Sequence, residues 1–110
     1  MKVLVLTESD VCCGPISAAF LNDFSIHIEA VSAGKNPLQS VELMMVTAMK
    51  ECLIDLSDYQ PQNVSSINVS GFDVVYECPD LPCPETLEEC RELRDFIKNE
   101  AYLFFRGLNL

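Results

Sequence analysis

The chain has 110 residues, 49% of them hydrophobic, which suffices for one buried core and leaves no room for a second domain. Seventeen acidic residues against seven basic ones give a formal net charge of −10, which repels nucleic-acid phosphates and anionic membrane surfaces. No apolar run approaches the roughly 18 residues of a membrane span, and the run after Lys2 is too short for a secretion signal. We therefore expect a cytoplasmic protein that binds neither nucleic acid nor membrane.

The first half of the chain alternates between strand and helix patterns. Lys2 to Leu6 is typical of a buried parallel strand, and Pro15 to Phe24 has the first-turn proline and the apolar spacing of a helix. Ile26 to Val31 alternates in polarity, which predicts a second strand with His27 facing solvent or a helix. The loop between the first strand and the first helix runs from Thr7 to Gly14.

A second helix is predicted after an N-terminal capping signal. Asn36 is a good N-cap residue, Pro37 suits the first turn, and Gln39 stands at the third helical position. Apolar residues then follow at helical spacing as far as Cys52. A polar connection from residue 54 to residue 69 comes next, with one short turn near residues 64 to 67.

The last third of the chain predicts one strand and one long helix. Phe72 to Tyr76 reads as a third strand, and the following "CPDLPCP" is too rich in proline for a central strand. Thr86 and Glu89 form a capping box. The helix that they start has one apolar stripe, consisting of Leu87, Cys90, Leu93, Ile97, Ala101, Phe104 and Leu108.

This alternation of strands and helices predicts a three-layer α/β/α domain, residues 1–110, around a small parallel sheet of three or four strands. Ligands of such sheets bind beyond the carboxyl ends of the strands, so the loop from Thr7 to Gly14 is the expected site. The cysteines show no C-x2-C pair, so we predict neither a metal site nor a cofactor. Cys52 and Cys90 lie on apolar helix stripes, where cysteine is usually core material.

Motifs along nearly the whole chain resemble one known family. "VLTESDVCCGPISAAFL" has the length and punctuation of V-C-x-G-N-x-C-R-S-P followed by a helix, and "VSAGKNPLQSVELM" resembles S-A-G followed by N-P-x-A-V-x-x-M. "ECLIDLSDYQPQNV" and "ETLEECRELRDFIKNEAYLF" resemble later segments of the same family. The sequence thus resembles the low-molecular-weight protein tyrosine phosphatases, most closely their thioredoxin-linked arsenate reductase branch. That resemblance implies a phosphatase-like α/β fold, here shortened before the last helix.

The resemblance also implies site residues, and two of them depart from the family pattern. The family's nucleophilic cysteine corresponds to Thr7, and its oxyanion-binding arginine corresponds to Cys13. A threonine hydroxyl needs a base to ionise, and a loop without the arginine loses its fixed positive charge. Asp80, in "CPDLP", resembles the aspartate of the family's Asp-Pro pair and is a weak candidate for the general acid. The rest of the anion loop consists of Glu8, Ser9, Asp10, Val11 and Gly14.

Cysteines supply the remaining chemistry. Cys12 matches the second loop cysteine of the family, and Cys78 and Cys83 resemble the shuttle cysteines of the arsenate reductase branch at a shorter spacing. Thiol exchange needs a thiolate and an accessible partner sulfur. A bridge from Cys12 or Cys13 to the Cys78 loop is sensible because both loops follow strand ends on one edge, whereas a bond between adjacent cysteines is strained.

Three functions follow as alternatives. The first is a phosphatase-fold protein without phosphatase turnover, which binds a protein partner or serves regulation. The second is an arsenate-reductase-like thiol redox enzyme or sensor that uses Cys12 or Cys13 with Cys78 and Cys83. The third is binding of a small oxyanion by loop amides alone. Apolar residues near the C-terminus (Phe104, Phe105, Leu108) and an open sheet edge favour a homodimer or a protein partner.

Overall fold

Six regular elements alternate along the chain in this computed structural model, which describes residues 1–79, 81 and 84–108. In chain order they are β1 (Lys2–Thr7), α1 (Cys13–Phe24), β2 (Glu29–Gly34), α2 (Leu43–Lys50), β3 (Val74–Glu77) and α3 (Leu87–Gly107). Two single-turn 3-10 helices, Val64–Ser66 and Val69–Gly71, lie between α2 and β3. The first of these confirms the short turn expected in the polar connection.

The three strands form one parallel sheet in the order β2-β1-β3. Val3, Leu4 and Val5 of the central strand are all fully buried. Because successive side chains of a strand point to opposite faces, both faces of β1 are covered. The predicted small parallel α/β sheet is confirmed, with three strands in the described part of the chain.

The main core cluster joins the central strand to all three helices. Its largest fully buried members outside β1 are Ile16, Phe20 and Leu21 of α1, Met45 and Met49 of α2, and Ile97 of α3. Cys90 is also buried, and Cys52 packs against the cluster from its edge. Both cysteines are core residues, as their helical spacing predicts.

The long helix α3 begins as its capping box predicts. Thr86 Oγ1 accepts a hydrogen bond from Glu89 N at 3.1 Å. Near the other end, Phe104 stacks on Tyr76 of β3 with ring centroids 4.3 Å apart, and Phe105 contacts Phe24. Both phenylalanines are partly buried by these contacts with β3 and α1, so they contribute only part of the apolar surface that was predicted there. None of the helices in the described ranges is long and apolar enough to cross a membrane.

The start of α2 is the largest departure from the predicted elements. The helix begins at Leu43, and its N-cap is Glu42, six residues after the predicted N-cap Asn36. The preceding segment instead bonds to the loop after β1, because Lys35 N, Asn36 N and Leu38 N donate to carbonyl oxygens of residues 7 to 9 and hold the chain in a non-helical path. Leu38, expected on the apolar face of that helix, is 59% exposed.

The other boundaries shift by a few residues. The second strand is predicted to begin at Ile26, but β2 begins at Glu29, which pairs with Lys2. Ile26 is 95% exposed and lies in a turn that a hydrogen bond from Ile28 N to Ser25 O closes. His27 is consequently an exposed turn residue rather than a strand residue. Similarly, β3 begins two residues after Phe72, and α1 begins two residues before the predicted Pro15.

Candidate functional site

The loop between β1 and α1 lies at the carboxyl end of the central strand, as predicted, and the segment after β2 fixes its backbone. Lys35 N donates to Thr7 O, Asn36 N to Glu8 O, and Leu38 N to Ser9 O, at 2.8 to 3.1 Å. The Asn36 side chain adds a bond to the Glu8 carboxylate at 2.6 Å. Four hydrogen bonds thus hold the outer half of the loop in one shape.

Asp10 forms the inner support of the loop. Its backbone has φ 54, in the left-handed region that aspartate tolerates better than most residues. Its side chain is fully buried, and Oδ2 accepts bonds from the Tyr59 hydroxyl at 2.5 Å and from Gln62 N at 2.9 Å. Tyr59 also contacts Ser32 of β2, so the loop is tied to β2 and to the connection after α2.

The second oxygen of this carboxylate, Oδ1, is buried without a hydrogen-bond partner within the described ranges. Burial raises the pKa of Asp10, and the hydrogen bonds from Tyr59 and Gln62 N oppose that shift only in part. The loop therefore contains a carboxyl group that favours its proton more than a solvated aspartate does. This group supplies no positive charge to the loop, and positive charge is what an anion cradle requires.

Thr7 occupies the base of the loop and is 4% exposed. Its Oγ1 accepts a hydrogen bond from Asp10 N at 3.0 Å, so the hydroxyl oxygen supports the loop from inside. His27 lies at the opposite end of the sheet, where its carbonyl oxygen binds the N-terminal amine. It is therefore no base for Thr7.

A cavity of about 160 Å³ opens between the loop and the ends of β1 and β3. Its lining is polar and consists of Leu6, Thr7, Glu8, Lys35, Glu77 and Cys78. Of the described lining residues, Lys35 alone is basic, and Glu8 and Glu77 are both acidic. Arg91 and Arg94 bind Glu51 on the helical side of the molecule instead, at 2.7 and 2.8 Å.

Two thiols meet at the start of α1. Cys78 follows β3, and its Sγ lies 3.4 Å from Ser17 Oγ; Cys13 Sγ lies 3.8 Å from the same hydroxyl. Cys78 Sγ is also 3.9 Å from the Cys13 carbonyl oxygen. Both cysteines are buried, 6% and 7% exposed. Cys13 therefore faces the end of β3.

A hydrogen bond from Cys13 lowers the pKa of Cys78, and bonds from Ser17 and Tyr76 act in the same direction while burial opposes them. Burial and the neighbouring Cys78 raise the pKa of Tyr76 to about 12. The surroundings of Cys78 accordingly favour ionisation of its thiol.

The remaining predicted site residues have simpler positions. Cys12 is buried at the N-cap position of α1 and belongs to the core cluster. Gly14 is so close to the loop that a Cβ there would come within 3.2 Å of Thr7 and Asp10 side-chain atoms. Asp80 and Cys83, the acid candidate and the second shuttle cysteine, lie outside the described residues. No group of three or more metal-ligating side chains occurs among residues 1–79, 81 and 84–108.

Solved structures with the same architecture cover nearly the whole chain. A low-molecular-weight protein tyrosine phosphatase from T. tengcongensis has 19% identity and a TM-score of 0.82, with 97% of this chain and 99% of that chain covered. Vibrio vulnificus Wzb in complex with benzylphosphonate has 17% identity and a TM-score of 0.82 (96% and 97% covered). An arsenate reductase from Archaeoglobus fulgidus has 17% identity and a TM-score of 0.77 (91% and 95% covered).

The chain has the fold of low-molecular-weight phosphatases and arsenate reductases. The fold expected from the motif resemblance is thereby confirmed. No family model and no curated protein matches the sequence. Because unrelated activities recur on one fold, the chemistry has to be argued from the loop itself.

Three residues important for the site were missed in the sequence. Tyr59 and Gln62 lie in the polar connection, where no local pattern indicates that they reach Asp10. Ser17 could have been found, because it stands four residues after Cys13 and such positions share one face of a helix. Its contact with Cys78 depends on the position of β3 and has no signal in the sequence.

Proposed function

We propose that this protein is a phosphatase-fold binding or regulatory protein without phosphatase turnover. The observation that carries the proposal is the interior of the loop after β1. There the Thr7 hydroxyl oxygen accepts a bond from Asp10 N, and the cavity that the loop lines has the carboxylates of Glu8 and Glu77 on its wall. The resemblance assigns the nucleophile to Thr7 and the arginine to Cys13, so both decisive groups are replaced.

Hydrolysis has no support in the neighbouring groups. Attack on phosphorus by Thr7 would need a general base within hydrogen-bond reach of its oxygen. The Glu8 carboxylate accepts a hydrogen bond from the Asn36 side chain, and the Asp10 carboxylate accepts hydrogen bonds from the Tyr59 hydroxyl and from Gln62 N. Negative charges developing on a phosphoryl group would also meet Glu8 and Glu77 across the cavity. The polar groups of the loop therefore stabilise its conformation and do not support phosphate hydrolysis.

The test compares three forms of the protein with an aryl phosphate as substrate. We expect no turnover above buffer for the wild-type protein or for Thr7→Ala. The double variant Thr7→Cys/Cys13→Arg restores both family groups on the same backbone, and it serves as the positive comparison. Hydrolysis by the wild-type protein that Thr7→Ala abolishes would overturn the proposal.

A small oxyanion is one ligand that the loop at residues 7–14 could bind through its backbone amides. The resemblance and the helix that starts directly after the loop support it, since helix N-termini favour anions. Lys35 adds one positive charge at the cavity, whereas Glu8 and Glu77 oppose an anion. Amide NMR titration with phosphate, sulfate and arsenate measures the balance. Absence of shifts at residues 7–14 would leave a protein partner as the ligand class.

A homodimer is the other assembly compatible with the sequence. The edge of β3 bears Val75, which is 44% exposed, and α3 exposes Phe96 and Leu103 by about half. A mass of 12.3 kDa in light scattering, that of the monomer, would argue against the homodimer and leave a different protein as the partner. Twice that mass would instead support self-association.

The second candidate function is thiol redox chemistry of arsenate-reductase type. The contact of Cys13 and Cys78 with one serine hydroxyl favours it. Cys12 is less suited, because it is packed in the core cluster. Mapping of all six thiols by alkylation and mass spectrometry after mild oxidation tests this candidate. It fails if every thiol stays reduced.

A further inference from the structure

The end of β3 and the first turn of α1 place two cysteines against one hydroxyl group. The backbone positions of both cysteines are fixed. Cys78 N donates to Leu6 O at 3.0 Å, which holds the end of β3 against β1, and Cys13 is the first residue of α1. Ser17 then contacts both sulfur atoms, at 3.4 and 3.8 Å. Cys78 Sγ also lies 3.9 Å from the Cys13 carbonyl oxygen, so both thiols belong to one buried cluster.

Cavities reach the two thiols from different sides. The polar cavity of about 160 Å³ at the loop includes Cys78 in its lining. A second cavity of about 200 Å³ between β3 and α3 includes Cys13, and its other lining residues are mostly apolar: Tyr76, Pro79, Leu81, Phe96, Ile97 and Glu100. A small polar oxidant therefore has access to Cys78, while the low exposure of both sulfurs excludes a bulky thiol from direct attack.

We infer that Cys13 and Cys78 form a reversible disulfide on exposure to hydrogen peroxide, with Cys78 as the thiol that is oxidised first. This inference rests on the second candidate function and specifies its cysteine pair and its oxidant. It differs from the arsenate reductase pattern, since Cys13 stands at the position of the arginine and Cys83 has no part in the bond.

The chemistry balances in two steps. The Cys78 thiolate attacks one oxygen of hydrogen peroxide, the O–O bond breaks, and the departing hydroxide takes a proton to become water. The sulfenic acid left on Cys78 is then attacked by the Cys13 sulfur, which loses its proton as the S–O bond breaks and a second water leaves. Peroxide gains two electrons, and the two thiols lose them. A small dithiol then reduces the Cys13–Cys78 bond by thiol–disulfide exchange, and it leaves as its own cyclic disulfide.

Ser17 is a positioning residue in this scheme. Its hydroxyl contacts both sulfurs and stabilises the Cys78 thiolate, so its removal slows the first step and leaves the product unchanged. We expect Ser17→Ala to lower the rate of thiol loss about three- to tenfold at neutral pH. The pH at which the rate is half-maximal should also rise, which a purely structural role would not cause.

Peptide mapping of the oxidised protein is the deciding experiment. The folded wild-type protein is treated with a small excess of hydrogen peroxide, alkylated and digested without reductant. We expect one linked peptide pair that contains Cys13 and Cys78. The pair should persist in Cys12→Ser, Cys52→Ser and Cys83→Ser, and it should vanish in Cys13→Ser and Cys78→Ser. Because Cys12 adjoins Cys13 and Cys83 is near Cys78 in the sequence, fragmentation of the linked pair in the mass spectrometer assigns the bonded cysteines, and this assignment on the wild-type protein decides the question if a cysteine variant does not fold.

Other results separate this inference from the proposed function. A bond between Cys78 and Cys83 would overturn the inference and leave redox chemistry intact as the second candidate. Peroxide-resistant thiols would overturn both. Aryl phosphate hydrolysis by a protein that still forms the Cys13–Cys78 bond would overturn only the proposal that the phosphatase loop is inactive.

Discussion

Asp10 shows how the loop is stabilised and what this costs. Its Oδ2 binds the Tyr59 hydroxyl and Gln62 N, and these bonds join the loop to the connection after α2. Its Oδ1 is buried without a partner within the described part of the chain. An unsatisfied buried acceptor destabilises a protein by about 1–3 kcal/mol, so Asp10 supports the loop at some expense of stability.

We predict that Asp10→Asn stabilises the protein at neutral pH. The native pKa of Asp10 is raised above its ordinary value of 3.8, so the native state holds this proton more tightly than the unfolded state does. Stability therefore falls as pH rises through the interval between the two values. Asparagine keeps the shape without the charge. We expect a higher free energy of unfolding near pH 7 and little change near pH 3, measured by urea unfolding.

The matched control for this variant is Asp58→Asn. Asp58 is exposed, and its substitution should leave the urea midpoint unchanged at both pH values. Loss of stability in Asp10→Asn at neutral pH would mean that the ionised carboxylate is the better partner for Tyr59. The account of its raised pKa would then be wrong.

At the scale of elements, Gly34 sets how closely β2 approaches the loop. A Cβ on Gly34 would lie 2.9 Å from Glu8 O and 3.0 Å from Asp10 Cβ. Both neighbours are fixed, the first by Asn36 N and the second by its burial. The end of β2 and the loop after β1 therefore pack backbone against backbone.

We predict that Gly34→Ala destabilises the protein by about 1–3 kcal/mol, because the loop must move to admit the methyl group. Chemical denaturation measures this loss, and amide shifts at residues 7–14 report the displaced loop. Gly107→Ala is the control: nothing lies within 4 Å of a Cβ there, and alanine suits a helix end as well as glycine. Equal stability of the two variants would contradict the close approach.

The capping box of α3 gives a second prediction at this scale. Thr86→Ala removes the acceptor of Glu89 N and should cost about 1 kcal/mol in unfolding free energy. Thr47→Ala is the control, because that hydroxyl donates to Leu43 O inside α2 and stabilises little. Thermal unfolding followed by circular dichroism compares them. A larger loss for the α2 variant would contradict the assigned cap.

These elements also show what the sequence can predict. The cap at Thr86 was predictable because every group in it lies within four residues. The start of α2 was not, since the donors after Gly34 bind a loop formed some thirty residues earlier. At the site, the motif resemblance identified the loop and Cys78. The contacts of Tyr59 with Asp10 and of Ser17 with Cys78 depend on the packed fold and have no local pattern.

On the scale of the whole molecule, the net charge of −10 is the dominant feature. Four of the seven basic residues are already engaged: Arg91 and Arg94 bind Glu51, and Lys2 and Lys98 lie over the rings of Phe72 and Phe20. Most carboxylates therefore repel one another across the surface. Such repulsion destabilises the compact state and is screened by salt.

We predict that raising sodium chloride from about 0.02 M to about 0.5 M increases the midpoint of thermal unfolding by several degrees, because the Debye length shrinks well below the spacing of surface charges. The double variant Asp23→Asn/Glu92→Gln removes two exposed carboxylates and should show a smaller rise. General salting-out would act on both proteins alike, so the difference between them isolates the charge effect. A midpoint that falls with salt would mean that ion pairs such as Arg91–Glu51 outweigh the repulsion.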